Sequence, residues 1–324
     1  MIKAIVMDQT GGPENMEWRE IEIGTPGAGE ALVRHTVVGL NYIDTYMREG
    51  YYPQLKTPGA ILGMEAAGIV EAVGESVSEV SVGDRVAYVN GPGTYCEQRV
   101  LEARHLIKLP SGVSNETGAA MMLQGMTAEY LLFRTHKVQA GDTILVQAAA
   151  GGVGLMLCQW AKHLGATVIG TVSTEAKAEL AKANGCDHAI LYTKENFAER
   201  VMEITDGKGV PVAYDAVGKD TFQGTFDSLS MRGHFVSYGQ SSGGADAIAP
   251  GYLGAKSASL TRPSLFHYIP TRSELEEVSN NLIDVVNKGI VKIEIGQRYE
   301  LKDAAQAHRD LHARKTVGST VFTV

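Results

Sequence analysis

The run Gln147-Ala148-Ala149-Ala150-Gly151-Gly152-Val153-Gly154 has a spacing that could hold a dinucleotide. The apolar run Thr143–Val146 precedes it and reads as a buried strand; Leu155–Gly165 follows and reads as a helix. A strand, a glycine-rich turn and a helix, in that order, bring backbone N–H groups against a pyrophosphate. The helix N-terminus adds partial positive charge. In the usual G-x-G-x-x-G fingerprint the first glycine is replaced here by Ala149, leaving Gly151 for close approach and Gly154 behind it. The tight turn must then form without its usual glycine. The plainer reading of the same residues is a structural turn.

The residue that selects the adenosine ribose lies about 20 residues beyond such a loop. The second strand runs out through Thr171-Val172-Ser173-Thr174, with no acid at its end. Ser173, Thr174 and Lys177 offer hydroxyls and a cation that suit a 2′-phosphate, which points to NADPH by charge complementarity. Glu175 is the competing feature, because a carboxylate there suits NAD. Ser173 or Thr174 could also simply cap the next helix, with Lys177 solvated.

Other side chains offer less chemistry. The three cysteines, Cys96, Cys158 and Cys186, are far apart, which fits a reducing cytoplasm and no disulfide framework. Cys158 reads as core, and Cys96 and Cys186 as packing or surface thiols. No four closely spaced cysteines exist to hold a structural zinc. His308 and His312 stand four apart on a helix, which reads as an exposed face rather than a ligand pair.

The elements that must position these residues change character along the chain. Up to about residue 120, short β-branched runs punctuated by Gly and Pro, such as Ala31–Val38 and Ala67–Gly74, predict a β-rich domain. From about residue 126, strand-like runs alternate with helix-like ones. The strand candidates are Thr143–Val146, Thr167–Val172, His188–Tyr192, Val210–Asp215, His234–Tyr238 and Ser257–Thr261. That alternation predicts a parallel, doubly wound sheet. In the helix after Gly154, Val153, Leu157, Trp160 or Ala161, and Leu164 share one face. Beyond residue 262, Ser273 with Glu276 resembles a capping box, and Leu275, Val278, Leu282 and Val285 form a helical stripe that Gly289 ends. The chain finishes with Ile290–Ile295, a helix near Asp303–Arg314 and a strand-like Ser319–Phe322. This tail is too short for a separate domain and is expected to complete the first one. The fold class is therefore α/β, with residues 125–261 as a doubly wound Rossmann domain and residues 1–124 with 262–324 as a β-rich domain.

With 324 residues, of which 44% are hydrophobic and 20% charged, the chain suits a soluble globular protein of one large or two moderate domains. A net charge of −8 argues against general nucleic-acid binding. No apolar run reaches the ~18 residues of a membrane span, and the N-terminal segment lacks the apolar core of a signal peptide.

Taken together, Gly11-Gly12-Pro13-Glu14, Gly39–Tyr46, Gly63–Gly68, Gly83-Asp84-Arg85-Val86, Ala148–Gly154, Val236–Gly239 and Thr261–Leu265 resemble the zinc-independent, zeta-crystallin-like quinone oxidoreductases of the bacterial type. Those belong to the medium-chain dehydrogenase/reductase superfamily, whose first domain is GroES-like and catalytic. Gly63-Met64-Glu65 also resembles the Gly-His-Glu segment of zinc alcohol dehydrogenases, with Met64 at the histidine position and Asn41 near that of the first cysteine ligand. A thioether is a poor zinc ligand, so no metal is expected.

The resemblance implies roles. Asn41, Asp44 and Tyr46 would be catalytic, beside the nicotinamide, with Tyr46 offering a proton or hydrogen bond to a quinone oxygen; aromatic packing is the alternative for Tyr46. Cofactor contacts would come from Tyr42, Tyr46, Thr127 (to the carboxamide), and Gly151, Gly152, Val153 and Gly154 (to the pyrophosphate). Ser173, Thr174, Lys177 and Tyr192 would frame the adenosine end, although Tyr192 could equally be an edge aromatic. Val217, Tyr238, Gly239, Gln240 and Ser241 would follow, then Arg262, Ser264 and Leu265, with Arg314 or Lys315 as a further phosphate contact. Gln124 stands where relatives are expected to carry lysine, and Tyr238 where phenylalanine is common.

The implied activity is hydride transfer from NADPH to a quinone or other electron-poor acceptor. A 2-alkenal or enone reductase on the same scaffold is the enzymatic alternative. An RNA-binding or structural crystallin-type protein is the alternative from another class; the intact glycine loop, Lys177 and Tyr46 speak against it. A homodimer is expected, with Ser257–Thr261 pairing edge to edge.

Overall fold

The computed structural model describes residues 1–52 and 55–324. The chain divides into two compact units. The first comprises Met1–Leu123, Thr271–Ile283 and Ile293–Val324; the second comprises Gln124–Pro270 and Asp284–Lys292.

The first unit is built on antiparallel strands. Its larger sheet runs in the order Ile295–Glu300, Ser319–Thr323, Glu30–Leu40, Glu65–Val73, Arg85–Val89, Ile107–Lys108. Gln98–Glu102 also pairs with Glu30–Leu40, over its first half, while Ser319–Thr323 takes the second half. The C-terminal strand is therefore bonded into the middle of the N-terminal sheet. A smaller sheet orders Glu17–Ile21, Ile2–Met7 and Ala60–Ile61. Alternation of buried with half-buried or exposed residues along Glu30–Thr36 gives way to four consecutive buried residues at 37–40, where the strand approaches the helix Tyr42–Arg48.

The second unit is a parallel sheet in the order His188–Leu191, Thr167–Val172, Thr143–Val146, Val210–Asp215, Leu229–Ser237, Ser259–Thr261. Helices cross between the strands, and this is the strand order of a dinucleotide-binding fold. Leu145, Ile169, Val210, Ala213, Phe226 and Phe235 form a continuous core. Such strands are covered on both faces, which is why they read as unbroken apolar runs.

Several expectations shift on contact with the structure. The last strand begins at Ser259, not Ser257, because Ser257 takes a left-handed φ of 49°. The third strand stops at Leu191, and the fifth starts earlier, at Leu229. The capping box before the helix Arg272–Asn287 is Thr271 with Glu274, not Ser273 with Glu276. The Thr271 hydroxyl donates to Glu274 Oε2 at 2.6 Å, and the Glu274 N–H donates back to that hydroxyl at 3.3 Å. Ile290–Ile295 is turn and extended chain, and a strand begins only at Ile295. The helix after the glycine loop buries Gly154–Cys158, Trp160 and Ala161, a band wider than one stripe, and leaves Val153 and Leu164 at its margins. All three cysteines are buried free thiols. Among the described residues no helix is long and apolar enough to cross a membrane.

Candidate functional site

The glycine loop of the second unit leaves the strand Thr143–Val146 at its carboxyl end. Ala148 takes the left-handed conformation, φ 56°, so the tight turn falls on an alanine one residue before the fingerprint position. A hydrogen bond from Gly151 N–H to Ala148 O, 2.9 Å, closes that turn, and Ala149 N–H bonds Thr171 O at 3.0 Å. Gly154 is required by packing: a Cβ there would lie 2.4 Å from Ala148 O and 2.9 Å from the Ala149 backbone. At Gly152 a Cβ would lie 1.8 Å from Gln124 Oε1, so the Gln124 side chain lies directly over the loop. A Cβ at Gly151 would approach Ala148 O at 3.3 Å and nothing else described within 4 Å. Gly151 is also the N-cap of the helix Gly152–His163 and places no side chain on its first-turn amides. Those amides have no partner inside the helix. A glycine turn whose cap residue brings no side chain to the helix amides fits the pyrophosphate of a dinucleotide.

A buried polar network holds the loop. Gln147 Nε2 donates to Thr225 Oγ1 at 3.0 Å, and Thr171 Oγ1 donates to Gln147 Oε1 at 2.5 Å. Thr225 and Thr221 donate in turn to Asp215 Oδ2 at 2.9 and 2.7 Å, and Val217 and Gly218 N–H to Asp215 Oδ1 at 2.7 and 3.0 Å. None of these polar links was anticipated from the sequence, because the residues belong to four separate segments.

The parallel topology brings the remaining second-unit candidates to one sheet edge. Tyr192, Ser173, the glycine loop, Val217, Tyr238 to Ser241, and Arg262 each follow a different strand at its carboxyl end. Gly239 sits against Ala216, whose carbonyl a Cβ would approach to 2.6 Å, and Ser241 N–H bonds that same carbonyl at 3.1 Å. Arg262 Nη1 donates to Ser237 O at 3.1 Å. Ser264 precedes a helical turn that begins at Leu265, itself buried. Thr127 is buried one helical turn before Tyr130, whose ring stacks on Tyr268 at 4.5 Å. At the adenosine end Thr174 caps the helix Glu175–Ala183, accepting from Lys177 N–H at 3.3 Å. Glu175 is paired with Lys194 at 2.7 Å. Lys194 went unnoticed in the sequence; it occupies the one carboxylate that argued for NAD and adds a cation to this end.

In the first unit, Asn41 caps the helix Tyr42–Arg48. Its N–H donates to Asp44 Oδ2 at 2.9 Å, and its Nδ2 donates to Glu65 Oε1 at 2.6 Å. Leu123 N–H donates to the other Glu65 oxygen at 2.7 Å. Burial pushes Glu65 up to about 8 and Asp44 up to about 7, against the pull of these donors. Tyr46 is half-buried, with its ring about equally far from Tyr42 (6.1 Å), Tyr51 and Tyr52 (6.4 Å each). The Tyr42 hydroxyl donates to Leu311 O at 3.2 Å, and its ring stacks on His312. Arg314, in the left-handed conformation, lies just beyond that helix; Lys315 is paired with Asp310 at 3.3 Å.

Residues 152–284 match the family described as zinc-binding dehydrogenase, and residues 27–143 the alcohol dehydrogenase GroES-like domain. The chain is 48% identical to a quinone oxidoreductase of Pseudomonas aeruginosa over 99% of both chains. The chain belongs to the quinone oxidoreductase family. It is also 46% identical to a 2-haloacrylate reductase from a Burkholderia species, again over 99% of both chains. An Escherichia coli quinone oxidoreductase solved in complex with NADPH superimposes with a TM-score of 0.97 at 43% identity, covering 99% of this chain and all of that one.

One of the two matched families is described as zinc-binding, which invites a test of this chain's donor set. Met64 offers a buried thioether, Asn41 a neutral amide, and Glu65 a carboxyl group that already holds two donors. That set does not fit zinc, which takes thiolate, imidazole or free carboxylate ligands. Among the described residues no three His, Cys, Asp or Glu side chains converge on a point that could hold a metal. The two helical histidines need correcting. His312 is partly exposed, but His308 is fully buried and hydrogen-bonded at both ring nitrogens, so the pair does not form one exposed face.

Proposed function

We propose that this chain reduces quinones with NADPH as electron donor and without a metal ion. The observation that carries the reading is the glycine cradle at the helix N-terminus, in a chain 48% identical to a quinone oxidoreductase. When bound, NADPH supplies the hydride. Gly151, Gly152, Val153 and Gly154 hold the pyrophosphate. Ser173, Thr174, Lys177 and Tyr192 receive the adenosine end, with Arg314 as a further phosphate contact. Thr127, Val217, Tyr238, Gly239, Gln240, Ser241, Arg262, Ser264 and Leu265 line the path to the nicotinamide.

The first unit contributes Asn41, Tyr42, Asp44 and Tyr46. Tyr46 donates a hydrogen bond, or its proton, to the acceptor oxygen that gains charge. Asn41 and Asp44 fix the helix turn on which Tyr46 stands. A quinone accepts hydride readily, so the chemistry asks for position and polarity rather than a Lewis acid. A second reading is favoured by the 2-haloacrylate reductase relative: an activated alkene takes the hydride and Tyr46 protonates the resulting carbanion.

The protein acts in the cytoplasm, in keeping with three buried free thiols. It forms a homodimer through the strand Ser259–Thr261, which lies at the edge of its sheet. Light scattering that gives a clean monomer would rule the dimer out.

Loss of nicotinamide absorbance is the test, with NADPH or NADH and with 1,4-benzoquinone or 2-chloroacrylate. The expected outcome is NADPH oxidation with the quinone, and a loss of affinity of about tenfold on Lys177→Ala for NADPH but not for NADH. Turnover of the haloacrylate alone would move the assignment to alkene reduction. Binding of NADPH without oxidation by either acceptor would overturn both.

A further inference from the structure

The first unit holds a second buried polar chain, which reaches Asp44 through three side chains that the proposed chemistry does not use. Arg48, Tyr95 and His308 are each no more than 1% exposed, as is Asp44. Arg48 Nη1 lies 3.0 Å from His308 Nδ1. A guanidinium only donates, so Nδ1 must accept, and the single imidazole proton sits on Nε2. His308 Nε2 lies 3.1 Å from the Tyr95 hydroxyl, so Nε2–H donates and the phenol oxygen accepts. The phenol proton is then directed at Asp44 Oδ2, 3.0 Å away. The fixed polarity of one guanidinium thus sets the direction of every bond as far as Asp44. An imidazolium would turn a second N–H against the guanidinium, and burial, then the charge of Arg48, push His308 down to about 3.

The packing supports a purpose-built slot. The Tyr95 ring stands edge-on to His308 at 5.9 Å and to Phe322 at 5.0 Å. Gly63 has φ 92°, and a Cβ there would lie 2.3 Å from Tyr95 Cδ1. Arg48 is anchored independently, donating through Nε to Gly11 O at 3.0 Å and through Nη2 to Glu49 at 2.5 Å.

Asp44 and Arg48 are four residues apart, one turn of the same helix. His308, on the helix Ala304–His312, grips Arg48 directly and Asp44 through Tyr95. Tyr46 lies between the two gripped positions. Asp44 Oδ2 also receives the N–H of Asn41, so the same chain fixes the helix cap. We propose that Tyr95 and His308 are positioning residues: with Arg48 they form a one-way hydrogen-bond chain that clamps the helix turn carrying Asn41 and Tyr46. The catalytic consequence rests on the function proposed above; the direction of the chain does not.

Two measurements test it, one of them free of activity. In whole protein labelled with nitrogen-15 histidine and without cofactor, NMR should show His308 as the Nε2–H tautomer, unchanged between about pH 5.5 and 8. An Nδ1–H tautomer, or titration near the usual histidine value, would overturn the chain. In NADPH–benzoquinone turnover, Tyr95→Phe and His308→Leu should each lower kcat about tenfold or more with NADPH affinity unchanged. His308→Gln, which can accept from Arg48 and donate to Tyr95, should keep most of the activity. Equal losses in the Gln and Leu variants, or no loss in Tyr95→Phe, would refute the positioning role. Wild-type protein that shows the tautomer but no quinone turnover would refute the proposed function and leave the chain standing.

Discussion

Asp44 in the first unit and Asp215 in the second are both completely buried, yet they are satisfied in opposite ways. Asp215 receives four protein donors, two backbone amides and two threonine hydroxyls, shared evenly between its oxygens. Asp44 receives two donors on one oxygen, and among the described residues its Oδ1 has no hydrogen-bond partner. Donor count separates the two: Asp215 is held at both oxygens, while Asp44, held at one, is pushed up to about 7 by burial. The anchor lies behind the cradle assigned to the cofactor, where geometry must not vary. The proton-sensitive group lies in the unit assigned to the acceptor, next to Glu65, which burial pushes up to about 8.

The largest effect should come from removing the anchor. Asp215→Ala removes the acceptor of four donors and should cost about 3–5 kcal/mol in urea unfolding, more than Asp44→Ala, which removes that of two. Equal costs would break the comparison. Gly154→Ala forces a Cβ into the loop backbone and should weaken NADPH binding on the order of 100-fold, read by calorimetry, while the first unit's carboxyls keep their titration.

The pH dependence of stability should come from the first unit. Asp44 and Glu65 have folded values raised to about 7 and about 8, so the stability they contribute is present at low pH and is lost as pH rises through those values. His308 and His35 are lowered to about 3 and about 4, so their contribution rises with pH until the unfolded histidine value of 6.5 and is then constant. Above that point the contributions of these two histidines are constant, and the two carboxyls set the fall. Stability should fall by on the order of 2 kcal/mol between about pH 6.5 and 8.5, and Asp44→Asn with Glu65→Gln should flatten the slope. The smallest effect sharpens the second unit: Ala148→Gly, at φ 56°, should relieve about 1 kcal/mol of backbone strain and be neutral or stabilising.

The legible parts of the sequence were those with local or periodic signals. Thr143–Val146, Thr167–Val172 and Val210–Asp215 match their strands end to end, because strands buried on both faces are uninterrupted apolar runs. The glycine loop was legible because close backbone approach leaves a fixed spacing of glycines. The left-handed turn at Ala148 was not, since alanine gives no signal for positive φ. Thr271 and Ser273 are both good caps, and only the observed contact with Glu274 separates them. His308 was misread because helical spacing shows which residues share a face, not which distant segment covers it. Tyr95 and Asp215 gave no local cue for the same reason: their partners lie far away in sequence or are backbone amides.

The most direct test of the account is NADPH oxidation by 1,4-benzoquinone in protein exhaustively treated with chelator. The account predicts full turnover, with one hydroquinone formed per NADPH consumed. Activity that vanishes on chelation and returns with added zinc would contradict it.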